Sequence, residues 1–109
     1  MEIMEALPLR KYLDENSAVM LYFFAEGCGV CQALYPKIKK LMTDEFPKIA
    51  LLKLDAGHHL KMAAQLRMLS VPGILLFMEG KEVFRSNGLV SITDIQAQIA
   101  RPYAFLYEE

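Results

Sequence analysis

The residues Ala18-Val19-Met20-Leu21-Tyr22-Phe23-Phe24-Ala25 form an unbroken apolar run rich in types that favour strands. A strand that is apolar on both alternating faces must be covered on both sides, which makes it the centre of a layered α/β sheet. At eight residues the run is too short to cross a bilayer as a helix, which takes roughly 20.

The flanking patterns supply the covering layers. Leu9, Tyr12 and Leu13 fall at helical spacing between Pro8 and Glu15, and Asn16-Ser17 reads as the stop. Cys31, Leu34, Ile38, Leu41 and Met42 form an apolar helical stripe opposite Lys37, Lys39 and Lys40, with a bend expected at Pro36 and an end at Phe46-Pro47. Ile49 to Asp55 is the next strand, so the helix between is a right-handed crossover joining parallel strands. A second helix is expected over Leu60 to Leu69. A hairpin of Gly73 to Met78 and Glu82 to Asn87 then turns at Glu79-Gly80-Lys81. Ser91 reads as the N-cap of a last helix, with Asp94 in its first turn, a stripe of Ile92, Ile95 and Ile99, and Pro102 as its end. Glu2-Ile3-Met4 leaves a brief edge strand open. The fold class is α/β, a central mixed sheet with helices on both faces.

A length of 109 residues supports one core and hence one domain, residues 1–109. Twelve basic and 13 acidic side chains, evenly mixed, do not make a phosphate-binding surface, so no nucleic acid is expected, and the mixed surface suggests a monomer. Glu2, Glu5, Arg10, Lys11, Asp14 and Glu15 interrupt the apolar stretch that a secretory signal needs. No membrane association and a cytoplasmic location are expected.

Chemistry concentrates at Cys28-Gly29-Val30-Cys31, where the central strand gives way to the crossover helix. Orphan amides and the positive end of the helix dipole favour a thiolate there, and the thiolate is the species that attacks disulfides. Cys28 is the natural nucleophile. The i, i+3 spacing returns Cys31 over the same helical face, so it can attack a mixed disulfide at Cys28 and release the reduced partner. A disulfide closing so small a loop would constrain the unfolded chain rather little, so a structural staple is the weaker reading.

With these residues in view, the chain resembles the thioredoxin family over nearly its whole length. The family's hydrophobic strand and Phe-x-Ala-x-x-Cys-x-x-Cys pattern correspond to Phe23-Phe24-Ala25-Glu26-Gly27-Cys28-Gly29-Val30-Cys31. Pro36, Lys53, Val71-Pro72, Gly80 and Gly88 also fall where the family places such residues. The resemblance implies a thioredoxin-like sheet and thiol–disulfide exchange without a cofactor. It implies protein disulfides as substrates and an electron-donating reductase as partner. It further implies that Pro72 follows a cis peptide bond and packs against the sulfurs, that the backbone of Val71 pairs with an extended substrate, and that Gly27, Gly73 and Gly88 line the shallow groove. Without the family, Pro72 would read as an ordinary trans proline and the glycines as turn residues.

Three positions depart from the family. Gly27 stands where it commonly has Trp, which removes an aromatic platform beside the nucleophile. Val30 replaces the usual proline, so the redox potential should differ from a typical member's. Tyr22 replaces a buried Asp that is the proposed proton acceptor for the resolving thiol. A neutral tyrosine can only exchange hydrogen bonds, which leaves proton removal from Cys31 to water, Glu26 or the departing thiolate, and the blander view of Glu26 is a solvated loop carboxylate. Lys53 reaches either toward Glu26 or toward solvent, with tuning of Cys28 a further role. On this reading Tyr22→Asp should slow nothing, with room to speed resolution at low pH.

Two other readings compete. A metal site would combine Cys28 and Cys31 with His58 and His59, but adjacent histidines diverge and there is no second cysteine pair, so no metal is expected. A non-catalytic binding module on the same fold could use Met62 and Met68, or the tail Tyr103-Ala104-Phe105-Leu106-Tyr107, as contact surface. The blander view is that the methionines fill the core and the tail folds back over apolar surface near the last helix.

Overall fold

The computed structural model describes residues 6–88 and 90–107; the strand left open at Glu2-Ile3-Met4 lies outside them. In chain order the elements are α1 (Ala6–Glu15), β1 (Ala18–Phe24), α2 (Gly29–Glu45), β2 (Ala50–Asp55), α3 (Leu60–Gln65), β3 (Gly73–Met78), β4 (Lys81–Asn87) and α4 (Ile92–Tyr107). The sheet order is β2-β1-β3-β4. β1 runs parallel to β2 and antiparallel to β3, and β3 runs antiparallel to β4. The apolar run is thus an inner strand, with Val19 through Phe23 fully buried.

Alternation along β1 divides the core in two. Ala18, Met20 and Tyr22 pack with Leu34, Ile38 and Leu41 of α2 and Ile95 and Ile99 of α4. Val19, Leu21 and Phe23 face the other way, onto Leu9 and Leu13 of α1 and Met62 and Ala63 of α3. The period of two in a strand buried on both sides therefore builds the expected three-layer arrangement. Met62 and Met68 are core residues, as the blander view held.

Helix α3 is shorter than the span of Leu60 to Leu69 expected for it. It ends at Gln65, because Arg67 adopts a left-handed φ of 58°. The Arg67 N–H donates to the Ala64 carbonyl at 3.1 Å and the Met68 N–H to the Ala63 carbonyl at 2.8 Å, the paired bonds of a Schellman cap. A second strand of support comes from β4: Arg85 grips Glu82 in a two-pronged contact of 2.7 and 2.8 Å and donates through Nη2 to the Leu66 carbonyl at 2.9 Å. The hydrogen bonds that Arg85 donates to Glu82 also hold its carboxyl below the usual range. The tight turn of the hairpin uses positive φ at both Glu79 and Gly80, the backbone of a type I′ turn, so β4 starts one residue earlier than expected, at Lys81.

The expected stop at Pro102 is overturned, since α4 continues through it to Tyr107. A proline inside a helix forfeits one backbone bond, but the residues beyond it recover apolar and aromatic contacts. Tyr103 is buried, with its ring 5.0 Å from Phe46 and 4.8 Å from Tyr107, and its hydroxyl accepts from the Lys48 N–H at 3.4 Å. The tail therefore covers the core as helix rather than as a folded-back segment. Phe105 alone of its aromatic residues stands out in solvent. Among the described residues no helix is long and apolar enough to cross a membrane.

Candidate active site

Strand polarity gathers the site at one end of the sheet. β1 pairs Phe23 with Gly73, β3 pairs Gly73 with Asn87, and β1 pairs Phe24 with Asp55. The loop after β1, the Val71-Pro72 approach to β3 and Gly88 after β4 consequently meet there. The Val71–Pro72 bond is cis, Pro72 is buried and Val71 half-buried. The Gly88 N–H donates to the Pro72 carbonyl at 2.8 Å, which ties the two loops together.

The loop from β1 to α2 turns through Gly27 at φ +82° and closes with a bond from the Cys28 N–H to the Ala25 carbonyl at 3.1 Å. Left-handed backbone at position 27 favours glycine and disfavours the bulky aromatic that the family commonly carries. Cys28 is then the N-cap of α2. Its backbone is extended, and its Sγ accepts from the Cys31 N–H at 3.1 Å. Sulfur occupies the position where Ser or Asp normally supplies an oxygen. A thiolate at this point would receive a charge-assisted hydrogen bond and the positive end of a 17-residue helix.

Cys28 and Cys31 are joined by a disulfide, with their Cα atoms 5.3 Å apart. Their exposures differ: Cys28 is partly open to solvent, whereas Cys31 is 1% exposed. One sulfur can be reached from outside and the other lies behind it.

Behind Cys31 is the fully buried Tyr22. Its hydroxyl donates to the Cys31 carbonyl at 2.8 Å and its ring lies 5.2 Å from that of Tyr35. Burial first, and the neighbouring Tyr35 second, push its ionisation above the ordinary value, so at pH 7 the side chain is neutral and a donor. A cavity of about 270 Å³ adjoins Cys31 and is lined also by Glu26, Gln32, Tyr35 and Lys53. The Lys53 ammonium sits 4.5 Å over Tyr35 and 4.9 Å over Phe24, a cation–π placement on a residue that is still exposed to solvent. Tyr35 is the residue that sequence reasoning missed. Its only signal is its position one turn after Cys31, on the flank of the buried stripe.

The remaining glycines differ in what requires them. Gly88 has φ +86° and open space where a side chain would project, so backbone conformation and free approach both favour glycine. Gly73 is buried, and a Cβ there would fall 2.7 Å from the Met68 sulfur and 3.1 Å from the Ser70 carbonyl oxygen, so internal packing requires its smallness. His58 is exposed with Nδ1 3.8 Å from Asp55, and His59 is half-buried just before α3. Among the described residues no three His, Cys, Asp or Glu side chains group so as to hold a metal ion.

Comparison with known proteins agrees with this geometry. The thioredoxin family model matches residues 6–101. The chain is 44% identical over 74 residues to a thioredoxin of Chlamydia muridarum, which covers 68% of this chain and 72% of the relative. It is 28% identical over 87 residues to a bifunctional thioredoxin reductase/thioredoxin of Mycobacterium leprae, which covers 80% of this chain and 19% of that one. Fasciola hepatica thioredoxin superimposes with a TM-score of 0.77 at 29% identity, over 87% of this chain and 91% of the other.

Proposed function

The chain belongs to the thioredoxin family, and from that premise we propose that it is a thiol–disulfide oxidoreductase that reduces disulfides in proteins. The observation that carries the reading is the asymmetry of the pair: a reachable Cys28 sulfur held at the amino end of α2 and a buried Cys31 sulfur bonded to it.

In the reduced protein the Cys28 thiolate attacks one sulfur of a substrate disulfide. The first partner sulfur leaves as a thiolate and a mixed disulfide forms at Cys28. Cys31, once deprotonated, attacks the Cys28 sulfur. The bond to the substrate breaks, the Cys28–Cys31 disulfide closes, and the substrate leaves with both sulfurs reduced. Val71, on its approach to Pro72, offers backbone for an extended substrate segment, and Gly27 and Gly88 leave space for it.

The oxidised pair must then be returned to the dithiol by an electron donor. The fused reductase of the M. leprae relative supports a reductase as that donor. A monomer in a reducing, cytoplasmic setting completes the proposal, because a compartment that keeps thiols reduced favours the reductase direction.

The direction is tested by equilibrating the Cys28/Cys31 couple against a glutathione or dithiothreitol buffer and quantifying free thiols. The expected potential is more negative than roughly −220 mV, the least reducing estimate of a cytosolic glutathione pool. A value near the roughly −120 mV of a strong disulfide oxidant would reverse the assigned direction.

A further inference from the structure

Resolution requires that Cys31 lose a proton while buried, and its neighbours limit where that proton can go. The titratable and charged side chains around it are Tyr22 from β1, Tyr35 from α2, Lys53 from β2 and Glu26 from the preceding loop. Tyr22 already donates its hydrogen to the Cys31 carbonyl, and burial keeps it neutral. Lys53 is a cation stacked on Phe24 and Tyr35, and it has no capacity to accept. Of these groups only Glu26 carries a carboxylate, a side chain built to accept rather than donate. Itself exposed to solvent, it shares with Cys31 the cavity of about 270 Å³, which polar and apolar side chains line together and which has room for more than one water at about 30 Å³ each.

We propose that Glu26 is the proton acceptor for Cys31, reached through water in this cavity, and that it replaces the carboxylate that the family keeps in β1 where this chain has Tyr22. The proposal rests on Cys31 being the resolving thiol. The Cys31 proton passes by way of water to the Glu26 carboxylate and then to solvent. The freed electron pair on sulfur forms the bond to Cys28, and the pair of the broken bond departs on the substrate sulfur, which solvent protonates. Lys53, which lines the same cavity, favours the negative charge that develops on Cys31.

A single-turnover reaction of the reduced protein with one equivalent of a chromogenic aryl disulfide tests this. Attack by Cys28 releases one coloured thiol and resolution by Cys31 a second, so the ratio of the two rates isolates the resolving step. At pH 6, where carboxylates are ionised and ordinary thiols are not, Glu26→Gln is expected to lower that ratio about tenfold, below the span usual for direct acid–base catalysis because water intervenes. The deficit should close toward pH 9 as hydroxide takes over, and Glu26→Asp should restore most of the rate. Charge alone predicts the opposite sign, since removing an anion favours thiolate formation. A Glu26→Gln ratio within twofold of the parent at pH 6, or an equal loss at every pH, overturns the role of Glu26. Absence of the first release from the parent protein overturns instead the assignment of Cys28 as nucleophile, and the proposal with it.

Discussion

Cys28→Ser is expected to reduce turnover of a disulfide-bonded model protein about a thousandfold or more, to the uncatalysed rate. An unactivated hydroxyl at this position cannot serve as the sulfur nucleophile, and Cys31 is too enclosed to replace it. Loss of fold would not explain the result. Cys28 is the N-cap of α2, and Ser is among the best N-cap residues, so the variant keeps or improves the hydrogen bond now made to the Cys31 N–H. Turnover and a thermal melt measured on the same preparation separate the two effects. Residual activity above about a tenth of the parent's would place the chemistry elsewhere.

Tyr22→Asp carries the second large effect, on stability. From the sequence this change should slow nothing, because it restores the carboxylate common in the family. The structure adds a cost that the sequence does not show, in stability rather than in rate. Tyr22 is 0% exposed, packs against Tyr35 and anchors the first turn of α2 through the Cys31 carbonyl. Aspartate would leave most of the ring's volume empty and place a carboxylate where an apolar side chain now packs. The expected loss is about 3–5 kcal/mol, by analogy with truncation of other buried aromatics. In a melt this is a fall on the order of 10–30 °C for a chain near 100 residues. Tyr22→Phe isolates the hydroxyl and should cost about 1–2 kcal/mol, since it leaves a buried carbonyl short of a donor.

The sign of the alkaline response follows from the same burial. Because the folded protein raises the Tyr22 ionisation above that of the unfolded chain, its stabilising contribution is complete below about pH 10 and is lost as pH rises through the folded value. Tyr22→Phe should flatten that part of the profile. A Tyr22→Asp protein melting within about 3 °C of the parent would mean that neither the ring nor the hydroxyl holds α2 as described.

What could be read directly from the sequence was set by period and by spacing. β1, α2 and the hairpin were legible because their apolar residues repeat at two or at three to four, and the two cysteines were legible because one helical turn separates them. Features that depend on contacts between distant residues were not. Pro102 looks like a stop until Tyr103 is seen against Phe46. Arg67 carries no mark of a left-handed cap, a position usually announced by glycine, and the bonds from Arg85 that support it come from another strand. Lys53 and Tyr35 are far apart in sequence, so their stacking beside Cys31 could not be read from either alone. Glu26 could be named as a candidate from the sequence, but the cavity it shares with Cys31 required coordinates.

The division of labour between the two sulfurs is tested most directly by trapping with Cys31→Ser. With the resolving thiol gone, reaction of the reduced variant with a disulfide-bonded protein should stop at a covalent adduct, released by dithiothreitol, whose peptide map joins a substrate cysteine to Cys28. A variant that turns over at the parent's rate, or that holds partners only by non-covalent contact, would contradict the assignment of Cys28 as attacking sulfur and Cys31 as resolving sulfur.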